Sequence, residues 1–142
     1  MKIALLSVVL LSTAAVPTKP KYTCEKMKVS ICRDIGYNIT ALPNYAGLVD
    51  QKDAEFELHD MNPIIRSKCS DHVRLFMCAA YLPMCIPGMD RVGPCRGLCL
   101  RVKKGCFDHM QRLGYPWPRE LECDNFQHEN DYEQACIMSN AI

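Results

Sequence analysis

The chain has 142 residues, and its ten cysteines are the side chains with the greatest chemical potential. In so short a chain, this count indicates a disulfide framework if the compartment is oxidising, and a metal or redox array if it is reducing. Cys95 and Cys99 lie four residues apart, a spacing that places both thiols on one helix face and would suit half of a zinc site. Ten cysteines allow about 945 pairings, so counting cannot select the connectivity. The compartment therefore decides between the two interpretations.

The N-terminal residues indicate that the compartment is oxidising. Lys2 is followed by an apolar run over residues 3–11, by small residues over 12–15, and by Pro17. A basic start, a short apolar stretch and small residues before a break are typical of a secretory signal peptide, which we expect to span residues 1–15. The alternative, a buried N-terminal helix, would lack a polar face. Secretion favours disulfides over zinc, and we expect no metal site.

The four histidines do not form a recognisable catalytic arrangement. They are His59, His72, His109 and His128. A small secreted helical protein rich in disulfides could be a phospholipase, but no histidine follows a Cys-Cys-x-x run and no Gly-rich calcium loop precedes one. The sequence also lacks the Gly-x-Ser-x-Gly and His-Glu-x-x-His motifs of hydrolases. We therefore expect surface histidines, no cofactor and no enzymatic activity.

The charge balance argues against nucleic acid as a partner. Lys and Arg total 17 against 16 for Asp and Glu, so no large basic excess is available to attract phosphates. Beyond the N-terminal stretch, no apolar run reaches the roughly 20 residues that a membrane-spanning helix needs. The expected product is secreted, or is the extracellular part of a longer receptor.

The residue pattern predicts two helices between residues 53 and 81. The first covers residues 53–67, where apolar residues recur at helical spacing, and Pro63 is expected to bend or end it. A bent helix packed against a neighbour would leave a groove beside Met61. The second covers residues 70–81, with Ser70 as a favourable N-cap residue.

The third predicted helix carries three cysteines on one face. At about 100° per residue, the side chains of Cys95, Cys99 and Cys106 project within about 40° of one another. Val102 and Leu113 share this face, which is therefore expected to be buried. The opposite face is expected to be solvated, and its residues are Arg101, Lys104, Asp108, Gln111 and Arg112.

The cysteines also define the expected domain limits. Residues 16–23 are a Pro- and Lys-rich lead-in, and residues 24–136 contain every cysteine and should form one compact unit. Residues 137–142 follow as a short C-terminal segment.

Two weaker signals concern strands and glycosylation. Short strands are indicated near Cys24 and over residues 82–85. Asn38-Ile39-Thr40 is an N-glycosylation sequon, and we expect it on a surface loop.

The cysteine pattern resembles that of the Frizzled-type cysteine-rich domain. The pattern reads Cys24-x7-Cys32, Cys69-x8-Cys78-x6-Cys85, Cys95-x3-Cys99-x6-Cys106 and Cys123-x12-Cys136. Supporting runs are Gly36-Tyr37-Asn38-Ile39-Thr40, Leu42-Pro43-Asn44, Tyr81-Leu82-Pro83-Met84-Cys85, Gly93-Pro94-Cys95-Arg96 and Trp117-Pro118. The resemblance covers residues 24–136. The Gly93-Pro94-Cys95 and Asn130-Asp131 stretches are most similar to the frizzled-four branch.

This resemblance implies a mainly α-helical, disulfide-rich fold with about four helices, short β-strands and five disulfides. The implied pairs are Cys24–Cys85, Cys32–Cys78, Cys69–Cys106, Cys95–Cys136 and Cys99–Cys123. It also implies an extracellular domain that binds Wnt proteins, either as part of a receptor or as a secreted decoy.

The resemblance further implies two ligand contacts. An apolar groove would hold the unsaturated acyl chain of Wnt, and its positions are Asp60, Met61, Asn62, Pro63, Ile64, Ile65, Arg66, Ser67 and Tyr115. A second edge would grip another part of the ligand at Met84, Ile86, Pro87, Gly88, Met89, Ala135, Ile137 and Met138. An acyl chain needs a continuous apolar trough, since burial is worth about 0.8 kcal/mol per methylene. Met61→Glu is therefore expected to abolish binding of an acylated ligand while leaving folding intact.

Two other functions stay open at this point. A groove of this type could carry or sense a free fatty acid or a sterol, and a secreted lipid hydrolase is disfavoured by the missing histidine and calcium motifs. A cystine-knot ligand and a homodimer formed through the groove are further possible partners.

Overall fold

The computed structural model describes residues 14–15 and 21–139. Residues 1–13 of the predicted signal peptide, residues 16–20 of the lead-in and residues 140–142 lie outside the described part. Within the described residues, no helix is both long and apolar enough to cross a bilayer. The elements are β1 (Thr23–Lys26), a 3-10 helix (Ser30–Cys32), β2 (Ile39–Leu42), α1 (Gln51–Asp60), α2 (Asn62–Ser67), α3 (Val73–Tyr81), α4 (Arg96–Arg112) and two more 3-10 helices (Arg119–Leu121 and Cys123–Asn125).

The sheet consists of two antiparallel strands, with Cys24 of β1 opposite Ala41 of β2. The strand expected near Cys24 is thus present, whereas β2 was not expected from the sequence. The strand expected over residues 82–85 is wrong, because only Met84 pairs there, in single bridges to Thr40 and Val92. The adjacent Pro83 has no N–H to donate to a ladder, and this limits pairing at that point.

The first predicted helix is in fact two helices that meet at Met61. The Asp50 side chain caps α1 by accepting a hydrogen bond from the Asp53 N–H at 2.9 Å, so α1 begins before the expected start. Pro63 cannot continue a helix, because its ring excludes the hydrogen bond to the preceding turn. In the first turn of α2 that N–H would be unpaired in any case, so Pro63 is tolerated there.

The central helix is α3, of which every residue except Arg74 is buried. It begins at Val73 and not at Ser70 as expected, since the Ser70 hydroxyl accepts from the His72 N–H at 3.3 Å and closes a turn instead. The Phe76 ring stacks on Trp117 with centroids 5.8 Å apart and meets Phe126 edge-on at 5.7 Å. These rings join α3 to the C-terminal half of the domain.

The longest helix, α4, has the two faces expected from its sequence, with one exception. Cys99, Val102 and Cys106 are buried, while the polar residues of the opposite face are exposed. Leu113 was expected in the buried face but is 50% exposed. It is the C-cap residue, and the chain turns away through Gly114 at φ 77° immediately after it.

Five disulfides connect the elements of the domain. They join Cys24 to Cys85, Cys32 to Cys78, Cys69 to Cys106, Cys95 to Cys136 and Cys99 to Cys123. These are the same five pairs that the family resemblance implies. Together with four α-helices and a two-stranded sheet, they confirm the predicted class, a mainly helical disulfide-rich domain.

The packing of α4 against the end of α2 gives a first prediction. A Cβ at Gly105 would lie 2.6 Å from the carbonyl oxygen of Cys69, whose side chain is bonded to Cys106. We expect Gly105→Ala to lower the free energy of unfolding by about 1–3 kcal/mol, because backbone must shift to make room. Helix propensity alone would raise the free energy of unfolding by about 0.5–1 kcal/mol. A decrease measured in a urea titration would therefore show that the steric contact outweighs helix propensity. The exposed neighbour Lys104→Ala is the control, and a Gly105→Ala protein as stable as that control would contradict the contact.

Candidate ligand-binding site

Three apolar residues of the expected groove belong to the hydrophobic core. Ile64 is fully buried, and Met61 and Ile65 are each 7% exposed. All three pack in the same cluster as α3. They therefore do not form an open trough in this structure, and Met61 in particular supports the fold.

The remaining expected groove residues differ in exposure. Asp60, Pro63, Arg66 and Ser67 are exposed, and Asn62 is half-buried. Tyr115 is also half-buried and packs against the core cluster. Pro63 and Ser67 are four residues apart on α2 and share one side of it.

The second expected edge is assembled from two segments distant in sequence. Met84 pairs with Val92, which folds the intervening residues into a loop. The Ile137 N–H donates to the Gly93 carbonyl at 2.8 Å, and the Cys95 N–H donates to the Ile137 carbonyl at 2.8 Å. The structure therefore brings the loop over 84–92 beside the C-terminal residues 135–138, as expected.

Exposed methionines and two cavities characterise this second edge. Met89 and Met138 are each 46% exposed, whereas Ile137 is buried and has a structural role. A cavity of about 270 Å³ is lined by Gly88, Met89, Asp90, Arg91, Val92, Glu133, Gln134 and Ala135. A second, of about 460 Å³, is lined by Lys21, Tyr22, Cys24, Cys85, Ile86, Pro87, Gly88, Met89 and Asp90. The edge thus has apolar side chains around concave surfaces.

Arg91 holds the base of this loop. Its guanidinium carbon lies 4.3 Å from the ring centroid of Tyr45 and 5.2 Å from that of Tyr22. The same group donates hydrogen bonds to the carbonyls of Pro43 at 2.9 Å and Asn44 at 2.7 Å. Sequence reasoning did not find Arg91 or Tyr22, because the disulfide from Cys24 to Cys85 brings these distant segments together.

Asp90 carries a negative charge at this edge. Partial burial acts to raise the pKa of its carboxyl group, but interactions with Tyr22, the Arg91 N–H and Lys21 outweigh burial and lower that pKa below its ordinary value. The Lys21 ammonium lies 3.5 Å from the Asp90 carboxylate. Both side chains are largely exposed, so we assign this ion pair little stabilisation.

The zinc alternative fails because both sulfurs of the Cys95-x3-Cys99 spacing are used in disulfides. In the described residues no cluster of three or more His, Cys, Asp or Glu side chains could hold a metal ion. The histidines are exposed or half-buried.

The sequon lies only partly on a surface loop. Asn38 is exposed, but Thr40 is buried within β2, and its hydroxyl donates to the Pro83 carbonyl at 2.8 Å. A glycan attached to Asn38 would extend into solvent. Whether the site is used stays a prediction.

Comparison with known proteins identifies the class of this domain. The model of the Fz domain family matches residues 24–130. The chain therefore belongs to the Fz family, the cysteine-rich domains of Frizzled-like receptors. In Frizzled receptors this domain is the extracellular, ligand-binding part and not an enzyme, which confirms the prediction that the domain lacks catalytic activity.

Curated relatives of this chain include Frizzled-4 proteins. The chain is 44% identical over 116 residues to Frizzled-4 of Drosophila melanogaster, covering 80% of this chain and 16% of that protein. It is 37% identical over 115 residues to Frizzled-4 of Homo sapiens, covering 80% of this chain and 21% of that protein. The chain thus spans about a fifth of the length of these relatives.

A solved structure supports the fold. The Smoothened cysteine-rich domain superposes with a TM-score of 0.52 at 24% identity, covering 82% of this chain and 95% of that chain. At this identity the likeness concerns the fold alone.

The burial of Met61 corrects one expectation and yields a prediction. A glutamate there would place a carboxylate in the core, so Met61→Glu should not leave folding intact. We expect it to lower the free energy of unfolding at pH 7 by about 3 kcal/mol, measured by chemical denaturation. Burial raises the pKa of such a carboxyl group above its unfolded value, so the loss should diminish as the pH falls towards 4. Met61→Leu, expected to cost less than about 1.5 kcal/mol, is the control. Equal stability of the Glu and Leu variants would show that the site is open to water.

Proposed function

We propose that this domain binds acylated Wnt proteins outside the cell, as the ligand-binding part of a Frizzled-like receptor or as a secreted decoy. The observation that carries the proposal is the match of the Fz family to residues 24–130, together with the Frizzled-4 relatives. The predicted signal peptide at residues 1–15 and the five disulfides fit export to an oxidising compartment.

The first proposed contact is between the acyl chain of the ligand and the outer side of α2. Pro63 offers an exposed apolar surface there, and Tyr115 is half-buried. Met61 and Ile64, which flank Pro63 in sequence, are buried in the core, so a lipid chain contacts them only if side chains move aside. The unbranched, adaptable side chain of a methionine suits such an adjustment.

The second proposed contact uses the edge formed by residues 84–89 and 135–138. Met89 and Met138 present exposed apolar surface on segments that hydrogen bonds hold together. Protein interfaces favour such adaptable methionine side chains. This contact would not depend on the acyl chain.

A direct experiment separates this proposal from its alternatives. The oxidised domain would be tested by biolayer interferometry against an acylated Wnt and against the same Wnt with its acylated serine replaced by alanine. Strong binding that weakens without the acyl group is expected. No binding to either form would favour a free fatty acid or sterol carrier, and equal binding to both would contradict the acyl contact. Binding of a cystine-knot ligand stays a prediction, which is tested by adding that ligand as a competitor of Wnt. A homodimer also stays a prediction, and analytical ultracentrifugation of the domain tests it.

Pro63→Glu tests the acyl contact without entering the core. Pro63 is exposed, and a carboxylate in the first turn of α2 is favourable for the helix, so folding should be retained. We expect binding of the acylated Wnt to weaken at least about tenfold, because the charge would be desolvated by the lipid. Binding of the serine-to-alanine Wnt should not change. Gln111→Glu adds the same charge on the exposed face of α4 and is the matched control.

Met89→Ser and Met138→Ser test the second contact. Removing these exposed apolar side chains is expected to weaken binding of both Wnt forms by a similar factor, about tenfold for the pair. The control is Val49→Ser, which removes an exposed apolar side chain elsewhere. Loss confined to the acylated form would place the lipid, and not a protein contact, at this edge.

A further inference from the structure

A cavity of about 500 Å³ lies beside α2 and shares Asn62, Ile65 and Arg66 with the groove that the family resemblance implies. It is bounded by α1, α2, the start of α3 and the 3-10 helix at Ser30–Cys32. Met61, Pro63 and Tyr115 are not among the residues that line it. Its volume falls within the range of about 300–1,000 Å³ found for small-molecule sites. It is therefore large enough to hold a small ligand.

The floor of this cavity is apolar. Leu58 of α1 is fully buried and Ile65 of α2 is 7% exposed, and Ile31 is half-buried against the same core. These three side chains come from three different elements, so their positions are set by the packing of the domain. A ligand with an apolar body would cover the parts of Ile31 and Ile65 that are still exposed and remove that surface from water.

The rim of the cavity is positively charged. Arg66, Lys68 and Arg74 line it with His59, and Glu55 is the acidic residue among the lining side chains. None of the three cations takes part in the ion pairs found among the described residues, which join Lys21 to Asp90, Arg96 to Asp124 and Lys103 to Glu122. The rim thus has a net positive charge that no ion pair neutralises within the described part of the chain.

The two arginines are already oriented by hydrogen bonds. The Arg66 Nε–H donates to the Asn62 side-chain oxygen at 3.1 Å. Arg74 donates to the carbonyls of Ile31 and Arg33 at 3.2 and 3.1 Å, which fixes it against the 3-10 helix. A guanidinium has five N–H donors, so each arginine retains donors for an anionic group. Oriented guanidinium groups suit carboxylates, sulfates and phosphates.

From this arrangement we propose that the cavity binds a small amphipathic anion, a molecule with an apolar body and one carboxylate or sulfate group. The body lies on Leu58, Ile65 and Ile31, and the anionic group lies at the rim formed by Arg66, Lys68 and Arg74. The shared chemistry covers fatty acids and sulfated lipids. The lining does not include Pro63 or Tyr115 of the proposed acyl contact, nor Met89 or Met138 of the second contact, so this proposal can be tested separately from the proposed function.

The test uses 1-anilinonaphthalene-8-sulfonate with the oxidised domain, and N-phenyl-1-naphthylamine as a probe of similar body without the sulfonate. We expect saturable fluorescence enhancement with the sulfonate and much weaker enhancement with the neutral probe. Decanoate, which represents fatty acids, and decyl sulfate, which represents sulfated lipids, are expected to displace the sulfonate probe. Decanol, which has no anionic group, is not expected to displace it. Equal binding of both probes would overturn the proposal, because the rim charge would then play no part.

Two double variants locate the anionic group. Arg66→Gln with Lys68→Gly is expected to raise the Kd of the sulfonate at least about tenfold. Lys68 has φ 54°, a conformation that favours glycine, so this substitution should not harm the fold. Lys104→Gln with Arg112→Gln removes the same charge from the exposed face of α4 and should leave the Kd unchanged. An equal effect of both double variants would show attraction to net charge only and would contradict the site.

Methyl NMR then identifies the surface that the probe covers. Saturating sulfonate is expected to shift the methyl signals of Ile31, Leu58 and Ile65. Shifts confined to Met61, or to Met89 and Met138, would assign the probe to one of the Wnt-contact surfaces and overturn the proposal. A domain that does not bind Wnt but still shows these probe shifts would contradict the proposed function and leave the anion-binding cavity supported. The two proposals can therefore fail separately.

Discussion

The covalent bonds made by α4 are the constraint on which the rest of the domain depends. Three of the five disulfides start from this helix and its N-cap residue, at Cys95, Cys99 and Cys106. They attach the turn that follows α2, the 3-10 helix at Cys123–Asn125 and the C-terminal segment to one helix face. Bridges that close loops of tens of residues each contribute roughly 2–4 kcal/mol. A domain of this size buries a limited core, so these bonds supply a large part of its stability.

The second constraint is the burial of α3, which determines how much of α2 is available for a ligand. Because α3 is buried on nearly every side, α1 and α2 must pack their apolar residues against it, and Met61 and Ile64 become core residues. Side chains that the resemblance implies for the acyl groove therefore serve stability in this structure. Any ligand that reaches them must replace packing contacts with its own, whereas Pro63 and the exposed methionines can contact a ligand without such a change.

The sequence predicted the features that depend on local spacing. Helical periodicity and cysteine spacing indicated the buried face of α4, and the family resemblance implied the five disulfide pairs. Features set by tertiary contacts were not predicted. The start of α3 at Val73 depends on a turn closed by Ser70, and the exposure of Leu113 depends on where the chain leaves α4. The groove implied by the resemblance stays a prediction, and the burial of Met61, Ile64 and Ile65 within it could not be foreseen, since residue spacing cannot tell whether a neighbouring helix covers an apolar residue.

The proposed ligand surfaces share one physical property, which is that each joins segments far apart in sequence but rigidly held. Cys24–Cys85 and the stack of Arg91 on Tyr45 anchor the loop at the second edge, and Cys95–Cys136 anchors the C-terminal segment beside it. Arg74 fixes the 3-10 helix at one wall of the cavity beside α2. Ordering these segments is therefore achieved on folding and costs little on binding. Affinity can then be changed through exposed side chains such as Met138 or Lys68, while the buried residues that position them stay the same.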